Sequence, residues 1–334
     1  MHGNVYRQKE ADLMNNLYII GNGFDIAHKL DTQYWNFRTF LEEKYWEFLL
    51  RLESLYDIHP LDPSEYGYSQ EAQEHWNKKV GKILWSEFER FLATPDIHSM
   101  LDVSESVVGN ISLESSNCGI LDTMDAYWHE EYGFIRELQQ YVKEWIEQID
   151  LRGVTPRKNA LVKNNSDYFF SFNYTRILED VYRTEQVLHI HGSVGADAAY
   201  DPIMGHCNSQ EIENRCHLSC EAYETFDEAE ASIQKAVANY LREIYKDANH
   251  YINLNRDFFA RLQSTNHVVI IGWSAGESDL PYLQVIKNAV QTDAHWTVYY
   301  YDQTAYNSLC NAMTESGISA KKIDYYQSDD FWDM

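Results

Sequence analysis

Apolar positions along this chain fall into two patterns. Short, mainly apolar runs stand at residues 17–20, 168–172, 186–190, 267–271 and 297–301, with a weaker one at 322–326, and several close on Gly, Asn or His. A run of this length bounded by turn residues is the pattern of a strand buried on both faces. Between the runs, apolar residues recur at helical spacing. Phe37, Phe40, Tyr45, Phe48 and Leu50 form one such stretch, Ile83, Leu84, Phe88, Phe91 and Leu92 a second, and Phe134, Leu138, Val142 and Trp145 a third. Further helices are expected over 175–182, within 223–262, from Leu280 and through Leu309. Strands alternating with helices predict an α/β fold, a mainly parallel Rossmann-like sheet with helices on both faces. Residues 56–159 contain no strand of comparable quality, so they are expected to be an inserted helical subdomain or lid. A polar tail at 1–15 and a nucleotide-binding domain made of 16–55 and 160–334 complete the expected organisation.

Length and charge narrow the class. The 334 residues can bury a full core, and 27 Lys and Arg against 52 Asp and Glu give a net charge of −25. So acidic a surface repels nucleic acid and anionic lipid, and no direct nucleic-acid or membrane partner is expected. A dinucleotide would need local backbone N–H donors instead of a general positive field. No stretch approaches the ~20 apolar residues of a membrane span. The opening MHGNVYRQKEADLMNN lacks an apolar signal core, so the expected location is the cytoplasm. Five cysteines fit a reduced compartment better than a disulfide framework. His206, Cys207, Cys216, His217 and Cys220 lie close in sequence but lack a CxxC pair, and no metal site is expected there.

In a parallel sheet, ligands bind beyond the carboxyl ends of the strands. Four such ends carry unusual residues. The first is Gly21-Asn22-Gly23-Phe24-Asp25, a glycine turn between strand and helix that would let backbone approach a phosphate, although Ile26 fills the third glycine position of a dinucleotide fingerprint. The second is Asn173-Tyr174, where an amide can orient a water or a ribose hydroxyl. The third is His191-Gly192, preceded by His189, and strand alternation places the two imidazoles on one face. The fourth is Gly272-Trp273-Ser274-Ala275-Gly276, followed by Glu277 and Asp279. It matches the G-x-S-x-G nucleophile elbow, yet His295 is the sole histidine after Ser274 and no HGGG segment exists, so a serine hydrolase is not expected. A small-residue loop holding part of a nucleotide fits better, with Glu277 and Asp279 meeting ribose hydroxyls or capping the helix near Ser278.

These blocks resemble, in order, those of the AbiH family of bacteriophage abortive-infection proteins. LYIIGNGFDIAHKLDTQYWNF at 17–37 is similar to the family's opening signature, and FSFNYT at 170–175, HIHG at 189–192, MGH at 204–206 and GWSAGESD at 272–279 resemble its later blocks. Lys29 stands where that signature usually has Gly, and Asp31 where it often has Pro. AbiH proteins in turn look distantly like the sirtuin-like NAD-hydrolase domains of bacterial defence. That likeness implies Asn173 as catalytic amide and His191 as catalytic imidazole, with Thr175 in place of an acidic residue that often follows Asn-Tyr there. The substrate-binding set would be Gly21, Asn22, Gly23, Phe24, Asp25, His28, Thr32, Tyr174, His189, Gly272, Ser274, Glu277 and Asp279. The paired CxxC zinc module of sirtuin deacylases is absent, which favours action on the dinucleotide itself.

The expected activity is therefore hydrolysis of NAD to nicotinamide and ADP-ribose in anti-phage defence, with NAD as substrate and no separate cofactor. A free NAD hydrolase would kill its own cell, so gating by homo-oligomerisation or by a sensing partner protein is expected. The alternative is a non-catalytic NAD or ADP-ribose sensor using the same loops.

Overall fold

The computed structural model describes residues 15–59, 69–80, 84–101 and 120–333. Ile83 and all but the last residue of the polar N-terminal tail lie outside them. Six strands form one sheet: β1 (Asn16–Ile20), β2 (Tyr168–Ser171), β3 (Val187–His189), β4 (His267–Ile271), β5 (His295–Tyr300) and β6 (Ile323–Gln327). Their order is β3-β2-β1-β4-β5-β6, and every pairing is parallel. This is the doubly wound order of the Rossmann fold, whose switch point lies between the first and fourth strands.

Strand alternation explains why both faces are covered. Leu17, Ile19, Phe170, Val268, Ile270 and Val298 enter one apolar core, packed by Phe258, Tyr282, Leu283, Ile286 and Leu309 from the helices Arg256–Arg261, Leu280–Ala289 and Gln303–Glu315. Ile20, Phe169, Val269, Ile271 and Tyr299 enter the other, packed by Phe24, Leu178, Tyr182 and Phe331. The strand faces thus follow the two-residue period of an extended chain. Where a helix over 175–182 was expected, a short π-type turn, Leu178–Tyr182, forms and ends at Arg183 with φ 61°.

A third core belongs to the helical layer. Its buried residues come from 37–58, 80–146 and 204–244, so helices before and after the central segment join it. Within it Trp85 stacks on Phe88, and Phe37 meets Trp85 and Phe88 edge-on and Trp145 at a tilt. Two long antiparallel helices, Ser209–Glu224 and Glu228–Glu243, are each started by a side-chain cap, Asn208 and Asp227, that accepts a backbone N–H. The register of the sheet aligns Ile20 with Ser171 and with Ile271, and Ser171 with His189. The strand ends are therefore level, and the residues after them meet along one edge.

Candidate functional site

At the switch point two loops touch. Gly21 N–H donates to Ile271 O at 3.0 Å, and Gly23 N–H donates to Gly272 O at 2.8 Å. A Cβ on Gly21 would lie 2.5 Å from Gly272 O, and one on Gly272 would lie 2.4 Å from Phe24 N. Gly272 also has φ 71°, a conformation that side chains with a Cβ rarely adopt. Close packing of the two loops thus accounts for Gly21 and Gly272. The N–H of Gly23 is spent on that contact, leaving it no donor for a phosphate.

From this junction the side chains converge. Asn173 Nδ2 donates to Gly21 O at 3.1 Å and to Asp25 Oδ1 at 2.9 Å, and Thr175 Oγ1 donates to Asp25 Oδ2 at 2.7 Å. Turning the amide over would set its oxygen against two acceptors, so the orientation is fixed by chemistry. Asn173 Oδ1 is left buried without a partner. Asp25 is 1% exposed, and burial raises its carboxyl to about 7 despite the hydrogen bonds from Thr175 and Asn173.

The loop after β3 brings in His191, whose ring meets Phe172, the chain neighbour of Asn173. The His191 ring packs between Phe172 and Tyr282, at 5.4 and 5.6 Å, and Phe172 stacks in turn on Trp273. Nε2 has no hydrogen-bond partner and lies 3.5 Å from Asp279 Oδ1. Burial and the positive charge of Lys246 hold the imidazole well below its ordinary pKa. Asp279 takes a hydrogen bond from Trp273 Nε1 at 3.0 Å, and burial raises it to about 6 while Lys246 pulls the other way. Buried polar atoms without partners are uncommon in folded proteins. Besides Asn173 Oδ1 and His191 Nε2, the atoms Thr32 Oγ1, Trp128 Nε1, Glu179 Oε2, Thr265 Oγ1 and Tyr282 Oη are in this state among the described residues.

With this arrangement established, comparison with known sequences becomes informative. The family described as "Bacteriophage abortive infection AbiH" matches residues 17–300. The chain belongs to the AbiH family. Its role is therefore in abortive infection of phage. No curated protein and no solved structure matches it.

Within this AbiH chain, not every expected residue meets the strand-end site. His28 Nδ1 bonds Phe24 O and Nε2 bonds Tyr182 Oη, both at 2.8 Å, so its ring is committed to packing beneath the loop. Phe24 is fully buried against His28, Tyr182 and Trp332. His189 spends both nitrogens, on Asn173 O at 2.7 Å and on Glu179 Oε1 at 2.9 Å. β3 ends at His189, so its alternation does not extend to His191, and the two imidazoles share no partner. Asn22 is exposed, with Nδ2 donating to Thr32 O at 2.8 Å. Tyr174 Oη donates to Ile203 O at 3.0 Å, and burial with the nearby Glu89 and Asp279 raises its phenol. Ser274 and Glu277 are exposed. Lys29, at the position where the family signature has Gly, has φ 63°, which explains a glycine preference there.

Two residues at the site carried no signal in the sequence. Lys246, 1% exposed, donates from Nζ to both oxygens of Glu89 at 3.0 and 2.9 Å. Glu89 rides on the short helix Phe88–Phe91 of the helical layer and also lies 3.4 Å from Ser278 Oγ. A charged residue on an amphipathic helix reads as a solvated face, and no motif distinguishes this one.

The cysteine-histidine cluster does not converge. His206 uses both ring nitrogens, on Leu241 O and Asn208 N, and among the described residues no group of three or more His, Cys, Asp or Glu is placed to hold a metal. A separate cleft of about 230 Å³ in the helical layer is bordered by Asp125, Trp128, Arg136, Lys235 and Glu243, whose charges pair with one another.

Proposed function

We propose that this AbiH protein acts in abortive infection by hydrolysing the bond between nicotinamide and ribose in NAD. The observation that carries the reading is a buried acceptor, Asn173 Oδ1, and a buried imidazole nitrogen, His191 Nε2, both unpartnered beside the switch point of a Rossmann-order sheet. Nicotinamide leaves a pyridinium as a neutral base, so no strong general acid is required. The site has instead to stabilise an oxocarbenium-like ribose and deliver water to its opposite face. Because its Nδ2 is committed to Gly21 O and Asp25, Asn173 offers an acceptor, suited to a ribose hydroxyl or to the attacking water. His191 is kept neutral by burial and by Lys246, so its free nitrogen can accept a hydrogen bond from the attacking water and orient it. The carboxyl of Asp279, raised to about 6, can supply negative charge beside His191. Aromatic residues and the helical layer exclude bulk water.

Activity is gated in this reading, through self-assembly or a sensing partner, since unrestrained NAD loss would kill the host. The test is chromatographic measurement of NAD, nicotinamide and ADP-ribose with purified protein, with and without infected-cell extract. Asn173→Ala and His191→Ala should each lower turnover by at least about 10²-fold while keeping the melting temperature close to that of the parent. Full activity in both variants would reject the assignment. Calorimetric binding of NAD without turnover, even with extract present, would replace the enzyme by a sensor.

A further inference from the structure

Asp279 and His191 approach each other through a chain of contacts that begins in the helical layer. Glu89 is carried in by Phe88–Phe91 and accepts both hydrogen bonds that Lys246 Nζ donates. It lies 3.4 Å from Gly205 N and from Ser278 Oγ, and Ser278 Oγ lies 3.4 Å from Asp279 Oδ1. Lys246 is itself held by the backbone, since its N–H donates to His206 O and His206 N–H donates to Ile244 O. Asp279 Oδ1 then stands 3.5 Å from His191 Nε2. The charged groups that face His191 are Asp279, from the turn after β4, and Lys246, from the segment after Glu228–Glu243. Tyr282 and Phe172 supply its aromatic walls.

We propose that Glu89 and Lys246 are positioning residues of the strand-end site, a buried ion pair through which the helical layer sets Asp279 against His191. A buried pair of this kind contributes little to stability, because desolvation offsets the attraction, whereas losing one partner strands the other charge. Its place in the chain of contacts to Asp279, with Lys246 1% and Glu89 13% exposed, fits a role in arranging the site better than a role in holding the fold. The inference rests on the functional reading above, and its main test does not use NAD turnover.

The paired variant Glu89→Gln/Lys246→Met removes both charges and should fold. NMR titration of the His191 imidazole compares it with the parent, with Lys246→Arg as the charge-keeping control. Lys246 opposes protonation of His191, so the paired variant should titrate at a higher pH, and Lys246→Arg should stay close to the parent. If NAD is hydrolysed, kcat in the paired variant should fall by about 10–100-fold, as for other groups acting through a neighbour, with KM changed far less. The pH–rate profile should move with the imidazole. An unchanged His191 titration in a folded paired variant would overturn the proposal whether or not the protein hydrolyses NAD. A changed titration in a protein without NAD turnover would keep the positioning role and reject the NAD reading instead.

Discussion

Asp25 sits buried in the fold with two side-chain donors, Thr175 and Asn173, and the consequence can be read in the pH dependence of stability. Its carboxyl is raised to about 7, against ~3.9 in an unfolded chain. The folded state therefore holds the proton more tightly, and ionisation works against folding. That penalty is absent below about pH 4, grows from there, and is complete above about pH 7. Three units correspond to at most about 4 kcal/mol. Asp25→Asn can keep both hydrogen bonds, because the Thr175 hydroxyl can turn to accept. Its melting temperature should rise relative to the parent between pH 5 and pH 8, and a difference independent of pH would contradict the argument. At this scale the sequence was informative where polar residues follow apolar strands. Asn173, His191, Asp25 and Asp279 all stand at or just after such ends, and they form two close pairs, Asn173 with Asp25 and His191 with Asp279. His28 and His189 look the same in the sequence, yet their nitrogens are taken by Phe24, Tyr182, Asn173 and Glu179, partners that only the fold supplies.

Among the elements, the strands were the most legible, because two-sided burial writes a continuous apolar run that survives in the sequence. Their ends shifted by a residue or two, as with β3, which closes at His189 where a run to 190 was expected. The expected helix over 175–182 is reduced to the turn Leu178–Tyr182. Its length is limited by Arg183 at φ 61°. The glycine loops were read as cradles for phosphate, and the structure gives them a packing reason that comes first. Gly272→Ala should destabilise the protein by several kcal/mol, on the order of 2–5, since its Cβ would meet Phe24 N at 2.4 Å in a left-handed backbone. Ser274→Ala, on an exposed residue of the same loop, should change stability by no more than about 0.5 kcal/mol. Denaturant melts of the two variants separate a packing role from a general sensitivity of the loop.

For the molecule as a whole, the parallel α/β sheet and the added helices were legible, whereas the share of each chain segment in the helical core was not. Amphipathic helices show that they pack, but not against what, and Ser209–Glu224 and Glu228–Glu243 carry apolar faces that would suit either layer. The charge of −25 has its own consequence. A dinucleotide with two phosphates is repelled on approach, and salt shortens the Debye length from about 30 Å at 0.01 M to about 8 Å at 0.15 M. Association of NAD should therefore quicken as salt is added over that range, opposite to the behaviour of a basic nucleotide-binding protein. Stopped-flow binding at the two salt concentrations measures it, and slower association at the higher salt would count against an acidic approach path. The central strand pair has a further consequence during synthesis. β1 is made near the start of the chain, but its neighbour β4 and the loop bearing Gly272 follow 251 residues after Gly21. At about 5–20 residues per second, on the order of ten to fifty seconds pass before the ribosome releases the second half of the crevice. Until then a growing chain holds Asn173 and His191 without the loop that packs against them, so the strand-end site is completed only late in synthesis.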